Sequence, residues 1–401
     1  MVSGLRWRTL AGIVALLVAW QPPCARAQNT DAERELGRQF AFAAGAELPF
    51  VRDAEVVRYV RGVGDRIVAG LGPQPFDYQF HVVRDPKVNA FAVPGGYIYV
   101  HSGLLVHAAD EDELAGVLGH EIAHVHAHHL VRQQEKSQLW GYAQLLGALA
   151  SIVQPAIGAA ALGASAAAQL EYRREFEQEA DYLGARYVRE VGYDPRGMLD
   201  FFQKLWEQQR RASTAMPPYL LSHPLTEERL SRLEAVLRQA QWEERPRPGP
   251  SRALRRARLL ARVRSEPGRD VIASYQAQLA ARPEDAEARF ELGWVLLESG
   301  SFDAAREALE QARAAGYEGV DRELGRAHLR LRQPERARAL LARAVEIEPD
   351  DPLAHYEYGR VLENLGDAEG AVAAYRRSVA LYPDSEDAQR QLGLLAGRRG
   401  D

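Results

Sequence analysis

The sequence predicts an α+β domain, mostly helical with a small sheet, followed by an all-α solenoid of helical hairpins. Three observations carry this. Between residues 31 and 240 apolar residues recur at spacings of three and four, while short stretches between 78 and 100 alternate. Pro246, Pro248, Gly249 and Pro250 then fall within five residues, which no helix survives. Beyond them, Gly293, Gly325, Gly359 and Gly393 recur at intervals of 32, 34 and 34.

Composition limits what such a chain can be. Its 401 residues are 46% apolar and 26% charged, as in a folded protein of two or three domains. The net charge of −5 argues against nucleic acid as the main partner, because phosphate neutralisation needs a basic surface. One cysteine excludes a disulfide framework and a Cys-rich zinc module.

The N-terminus predicts the compartment. Arg6 and Arg8 precede an uncharged run from Thr9 to Trp20, then Ala25-Arg26-Ala27, an A-x-A cleavage site. This is the pattern of a secretory signal peptide over residues 1–27. The run is short for a membrane anchor. Gln21-Pro22-Pro23 ahead of Cys24 lacks the small and aliphatic residues of a lipidation site. Cleavage would remove three arginines, no acid and the only cysteine, which suits an oxidising exported compartment such as the periplasm.

The remaining elements follow in order. Residues 31–72 read as helical, with Leu36, Phe40, Val56, Val60, Val63 and Ile67 in register. Tyr78 to Val83 alternates as a strand. Asn89 to Val93 and Tyr97 to Val100 read as two more, joined by the turn Pro94-Gly95-Gly96. Asp110 to Val131 is a helix with acids at its start, which suits the macrodipole. Leu170 to Val191 is another, stopped by Gly192. Ser222-His223-Pro224 is a loop, since the residue before proline avoids the helical region. Thr226 to Gln241 is an amphipathic helix. The expected domains are thus residues 28–243, a proline-rich linker at 244–250, and residues 251–401.

Within the last part, Ala305, Ala337 and Ala371 stand twelve residues after their glycines, and Leu309, Leu341 and Tyr375 sixteen after. Pro349 and Pro383 are 34 apart. This phase resembles the tetratricopeptide repeat, in which small residues let two helices approach and a proline ends the second. Arg289, Asp321 and His355 replace the aromatic that opens that consensus. Residues 252–283 read as a degenerate earlier copy, and Gly393 onward as a truncated cap for the last apolar face.

The densest chemical signal is Gly119-His120-Glu121-Ile122-Ala123-His124, followed by His126, His128 and His129. On a helix His120 and His124 share one face, so two imidazoles can reach one ion. Glu121 would project to the open side and take a proton from water held there. His128 lies one turn past His124, too far from His120 to converge with it, and His129 points to another flank. Glu177 is the better third ligand: Glu177 and Asp181 are four apart on a helix, so one carboxylate can bind metal while the other orients a ligand histidine. The alternative is that these acids form a solvated helix face, like Glu171 and Glu175.

These residues resemble the HtpX-type gluzincin metallopeptidases, in the periplasmic branch that carries C-terminal tetratricopeptide repeats. The resemblance rests on HExxH at 120–124, ExxxAD at 177–181, the segment Asn89–Val100, Ser102-Gly-Leu-Leu105 and the His-Pro loop Leu221–Arg229. It implies a zincin-like catalytic domain with one Zn2+ per chain, held by His120, His124 and Glu177. Glu121 would be the general base and Asp181 the group that orients a ligand histidine. Asn89, Ala90 and Phe91 would form an edge that accepts an extended substrate by main-chain pairing. His223 would stabilise an oxyanion, bind the metal as a fourth ligand and hold the enzyme off, or be a plain loop residue. Arg229 would reach the same oxyanion or pair with an acid, the second being favoured.

The resemblance further implies an exported endopeptidase acting on misassembled envelope proteins. Its partners would be unfolded outer-membrane polypeptides and an outer-membrane assembly machine, with client docking by the repeats. The rival class is a periplasmic chaperone or scaffold whose metal site is silent. Two stretches bear on membranes. Residues 137–170 carry no charge and read as a helical hairpin that packs over the active site or touches a membrane surface, rather than spanning it. Arg252 to Arg264 carries six arginines and no acid, and reads as a solvated solenoid edge more readily than as a lipid-binding helix.

Overall fold

The computed structural model describes residues 30–136, 166–211, 217–240, 247, 249–383 and 385–399. The signal-peptide reading, most of the 244–250 linker and the uncharged stretch from 137 to 165 lie outside them. Among the described residues no helix is long and apolar enough to cross a membrane.

The described residues up to Ser265 form one compact unit and those from Glu266 a second. The first opens with two helices, α1 (Thr30–Glu47) and α2 (Ala54–Ala69), where one continuous helical pattern was predicted. Pro49 stops the first, and the Asp53 carboxylate caps the second by accepting the Glu55 amide. Between them Phe50 bridges to Val83 as an extended segment.

The predicted alternation gives β1 (Gln79–Val83), β2 (Ala90–Val93) and β3 (Tyr97–His101). Their spatial order is β1-β3-β2, with β1 parallel and β2 antiparallel to β3. The β2–β3 turn needs Gly95 and Gly96, at φ 83° and 97°, a region other side chains avoid. One face of the sheet closes on α1: Phe91, Val93 and Tyr99 are buried with Leu36, Phe40 and Ala44. Phe40 meets Tyr99 edge-on with ring centroids 5.4 Å apart.

Then come α3 (Ser102–His107), α4 (Glu111–His126) and α5 (His129–Lys136). After them follow α6 (Ala166–Glu190), α7 (Arg196–Arg211), α8 (Pro218–Ser222), α9 (Glu227–Gln239) and α10 (Arg252–Ser265). The single helix expected from Asp110 to Val131 is in fact two. His128 sits at φ 53°, a left-handed residue that ends α4 and restarts the chain as α5.

Helix α10 differs from its sequence reading. It packs on α2 and α3 rather than forming the first hairpin of the solenoid or a solvated edge. Leu254, Leu259, Leu260 and Ala261 are buried. Several of its arginines face acids and carbonyls of the same unit: Arg264 lies 3.7 Å from Asp53, and Arg258 donates to the Ala108 carbonyl. The compact unit therefore runs through the proline-rich stretch to Ser265. Prolines mark where a helix must stop, but the apolar stripe after them decides which core the next helix joins.

The second unit comprises α11 (Gly268–Ala281), α12 (Ala286–Glu298), α13 (Phe302–Ala314), α14 (Asp321–Arg330), α15 (Pro334–Ile347), α16 (Pro352–Asn364), α17 (Ala368–Leu381) and α18 (Glu386–Arg399). Pairs α12–α13, α14–α15 and α16–α17 pack as hairpins. The repeated glycines make them possible. A Cβ on Gly293, Gly325 or Gly359 would stand 2.6–2.7 Å from Leu309, Leu341 or Tyr375, the residues sixteen positions on. Helix α18 covers the last face, with Leu395 buried beside Tyr375.

Candidate metal centre

Helix α4 is anchored before it presents any chemistry. The Asp110 carboxylate accepts the Glu113 amide at 3.0 Å, and Glu113 reaches back to accept the Ala109 amide at 2.7 Å. From Glu113 to Ala123 every residue is buried, so both imidazoles of the HExxH motif stand on a rigid rod within the core.

Helix α6 crosses α4 where both carry glycine. A Cβ on Gly184 would lie 2.8 Å from the His120 backbone nitrogen, and one on Gly119 2.6 Å from Val188 Cγ1. Glu177, Asp181 and Gly184 are spaced four and three apart and share a face. The close crossing at Gly184 therefore brings both acids against His120.

The loop after α8 supplies the third wall. Pro217 and Pro218 start α8, and the His223 amide donates to the Tyr219 carbonyl at 2.8 Å. The Tyr219 amide in turn donates to the Val88 carbonyl, which ties this loop to the residues just before β2.

Four donors converge: His120, His124, Glu177 and His223 each offer a ligand atom within 4.8 Å of the others. His120 Nε2 is 3.0 Å from His124 Nε2 and 3.4 Å from both Glu177 Oε2 and His223 Nδ1. His223 Nδ1 is 3.1 Å from Glu177. His120, Glu177 and His223 are buried. Such a set of three imidazole nitrogens and one carboxylate fits a four-coordinate divalent cation. Glu121 adds a second sign. Its carboxylate is fully buried, and neither oxygen has a hydrogen-bond partner among the described residues, although His223 Nε2 stands 3.5 Å away. A buried carboxylate without partners is costly unless a ligand or water completes it.

The surrounding charges are tightly set. Asp181 Oδ1 lies 2.9 Å from His120 Nδ1, the nitrogen facing away from the donor cluster. Arg229 grips Asp181 with two nitrogens, at 2.6 and 2.8 Å, and reaches Glu177 at 2.9 Å. Arg229 thus pairs with the acids. Burial penalises the charged form of Glu177, but His223 and Arg229 outweigh it and hold the carboxyl well below its ordinary range. Burial opposes the charged form of Asp181 as well, and Arg229 outweighs it and lowers that carboxyl. Burial alone would lower His120, yet Asp181 and Glu177 lift it to about 9. His124 is pushed well below the ordinary imidazole range by burial and by its histidine neighbours. A bound cation would replace the proton that these acids otherwise draw onto His120.

Of the strand residues proposed for substrate, Ala90 and Phe91 begin β2, an edge of the three-stranded sheet, and Asn89 precedes it. The Asn89 carbonyl accepts the His101 amide, while its buried side-chain amide has no hydrogen-bond partner among the described residues. Two features were not anticipated. Tyr219 is fully buried with its ring against His223, centroids 4.7 Å apart, and its hydroxyl is likewise unpartnered among the described residues. Burial, with Glu121 nearby, holds that phenol far above its ordinary range, so it stays a donor. Its signal was its place one turn before His223. The second is His129, whose Nδ1 lies 2.9 Å from His124 Nδ1, where the sequence reading sent it to another flank.

Comparison with known proteins agrees with this geometry. The model of peptidase family M48 matches residues 53–237, and tetratricopeptide-repeat models match 269–327 and 322–386. A putative beta-barrel assembly-enhancing protease of Vibrio cholerae is 32% identical over 312 residues, covering 76% of this chain and 58% of that protein. The beta-barrel assembly-enhancing protease of Escherichia coli is 33% identical over 207 residues, covering 50% of this chain and 42% of that protein. The mitochondrial metalloendopeptidase OMA1 of Schizosaccharomyces pombe is 32% identical over 186 residues, covering 46% of this chain and 53% of that protein. The chain spans about half the length of the curated relatives it matches. With HExxH, ExxxAD and the His-Pro loop meeting at one point, and tetratricopeptide repeats following in the sequence, residues 53–237 of this chain are a peptidase family M48 domain.

Proposed function

We propose that this protein is an exported zinc-dependent endopeptidase that cleaves misassembled envelope polypeptides. The observation that carries the proposal is the buried Glu121 carboxylate, without a hydrogen bond among the described residues, beside four converging donors. His120, His124 and Glu177 would hold Zn2+, one ion per chain. Bound zinc would supply Lewis acidity, polarising the scissile carbonyl and making water acidic enough to attack it. Glu121 would take the proton from the attacking water and deliver it to the departing amine. Asp181 would keep the proton of His120 on Nδ1, leaving Nε2 free for the ion. Asn89, Ala90 and Phe91 would pair with the substrate backbone and hold it extended. The Tyr219 hydroxyl is a further donor available to a developing oxyanion.

His223 stands among the donors, so in this arrangement it would act as a displaceable fourth ligand that keeps the resting site closed. Export to the periplasm is supported by the signal-peptide pattern of residues 1–27. Outer-membrane proteins as clients are supported by the names of the relatives, and client or machinery docking by the tetratricopeptide repeats.

The test is Glu121→Gln, which keeps the size and hydrogen-bonding capacity of the side chain but removes its basicity. The variant is expected to bind zinc stoichiometrically and to lose casein cleavage by at least about 100-fold. Equal cleavage by both forms, or cleavage by neither form with zinc bound, would return the protein to the chaperone or scaffold class.

A further inference from the structure

We infer that His129 and Glu179 are positioning residues for the metal centre, a relay behind His124 that matches the part Asp181 plays behind His120. The inference rests on the metal-centre reading above and concerns a flank to which no role has been given.

The geometry starts from the protons. His124 turns Nε2 toward the donor cluster, 3.0 Å from His120 Nε2 and 3.5 Å from Glu177 Oε1. An imidazole that gives its Nε2 lone pair to a cation carries its proton on Nδ1. The atom facing His124 Nδ1 is His129 Nδ1, 2.9 Å away. His129 must therefore accept at Nδ1 and carry its own proton on Nε2. That nitrogen lies 3.2 Å from Glu179 Oε2. The proton order His124 to His129 to Glu179 thus has no clash of two donors or two acceptors, with a hydrogen bond at the first link and an ion-pair distance, not an aligned hydrogen bond, at the second. Glu179 is held in turn by Arg132 Nη1 at 2.9 Å, and Arg132 also donates to the Ala127 carbonyl. The plane of His129 is set by stacking on Phe176, with centroids 4.8 Å apart and rings inclined by 23°.

The backbone is shaped to make this contact. Five residues along an uninterrupted helix would carry a side chain about 140° around the axis, away from His124. The left-handed turn at His128, φ 53°, breaks the helix and folds His129 back beneath His124. Such a conformation is unfavourable for a residue with a Cβ. Here it is held by the His128 Nδ1 contact to the buried Glu33 carboxylate at 2.7 Å. Both histidines of the HExxH motif then have a carboxylate on the side of their rear nitrogen: Asp181 at 2.9 Å from His120, and Glu179 behind His124 through a second imidazole. Outer partners of this kind orient the ligand and raise its basicity, and their loss typically weakens metal binding 10–100-fold.

The experiment measures the zinc dissociation constant of the full chain by competition with a chromogenic chelator, alongside thermal melting of the metal-free protein. His129→Leu is expected to bind zinc about 10–100-fold more weakly. His129→Asn keeps an acceptor oxygen near the position of Nδ1 and is expected to recover most of that loss, which a packing role would not produce. Glu179→Ala, a change at a partly exposed side chain, is expected to weaken binding several-fold. Wild-type affinity in His129→Leu, or an Asn variant as weak as the Leu variant, would overturn the relay. If His129→Leu does not fold, Glu179→Ala decides: weaker binding supports the relay, and unchanged binding overturns it. A wild-type protein that takes up no zinc would instead sink the metal-centre reading itself.

Discussion

At the scale of single residues, the site is a set of charges that hold one another in place. Arg229 is the keystone: it is buried, and its charge is balanced by Asp181 and Glu177 alone among the contacts described above. Replacing it by leucine would leave two buried carboxylates without the guanidinium that bridges them. Such broken pairs cost about 3–5 kcal/mol. Arg229→Leu should therefore melt much earlier and bind zinc poorly, as read by calorimetry and chelator competition. His223 stands at the end of a short helix. Because it stands where a substrate carbonyl would have to enter, His223→Ala is expected to raise the rate of casein cleavage with zinc retained. A lowered rate would instead assign His223 to catalysis. His120 and His124 were legible as a pair from spacing, as were Glu177 and Asp181, because the helical period puts each pair on one face of its own helix; that the two faces meet was not. Tyr219 and His129 were not, because one depends on a loop's path and the other on a break in a helix.

At the scale of elements, the candidate metal site is built where α6 crosses α4, with the loop after α8 closing it. Gly184 has no side chain, so α6 can rest against the His120 backbone and carry Glu177 and Asp181 to the imidazoles. Alanine is the better helix former by about 1 kcal/mol. At this position its Cβ would press on backbone atoms that cannot swing aside. Overpacking of that kind costs roughly 1–3 kcal/mol. Gly184→Ala should thus lower the melting temperature despite its helix propensity and loosen zinc, whereas the same change at Gly45, where the added Cβ meets nothing, should do neither. Boundaries were predicted well where a cap or proline marks them, as at Gly192 and Pro349. They were missed at Pro49, a local stop that the apolar period on either side of it masked, and at His128, where the period runs on across a break that only packing explains.

At the scale of the whole molecule, the limit of the catalytic unit is testable by truncation. A chain ended at Ser265 keeps α10 and should fold and bind zinc. One ended at Pro250 exposes the surfaces of α2 and α3 that Leu254, Leu259 and Leu260 cover. Each such leucine contributes about 1.5–3 kcal/mol when buried. The shorter chain should therefore be markedly less stable in urea melts, although the prolines alone would make Pro250 the natural end.

What the sequence determined by itself was chemistry and periodicity: a metal-ligating helix, a second helix with paired acids, a small sheet and a repeat of 34 residues. These are local properties, carried by spacing along one element and by residue type. What only the tertiary structure decided was convergence. Nothing in the spacing of residues 124 and 129 says that a left-handed histidine turns the chain between them. Nor does a run of prolines say that the arginine-rich helix beyond it joins the domain before. Those outcomes depend on which buried surfaces meet, and burial is a property of the folded chain rather than of any segment of it.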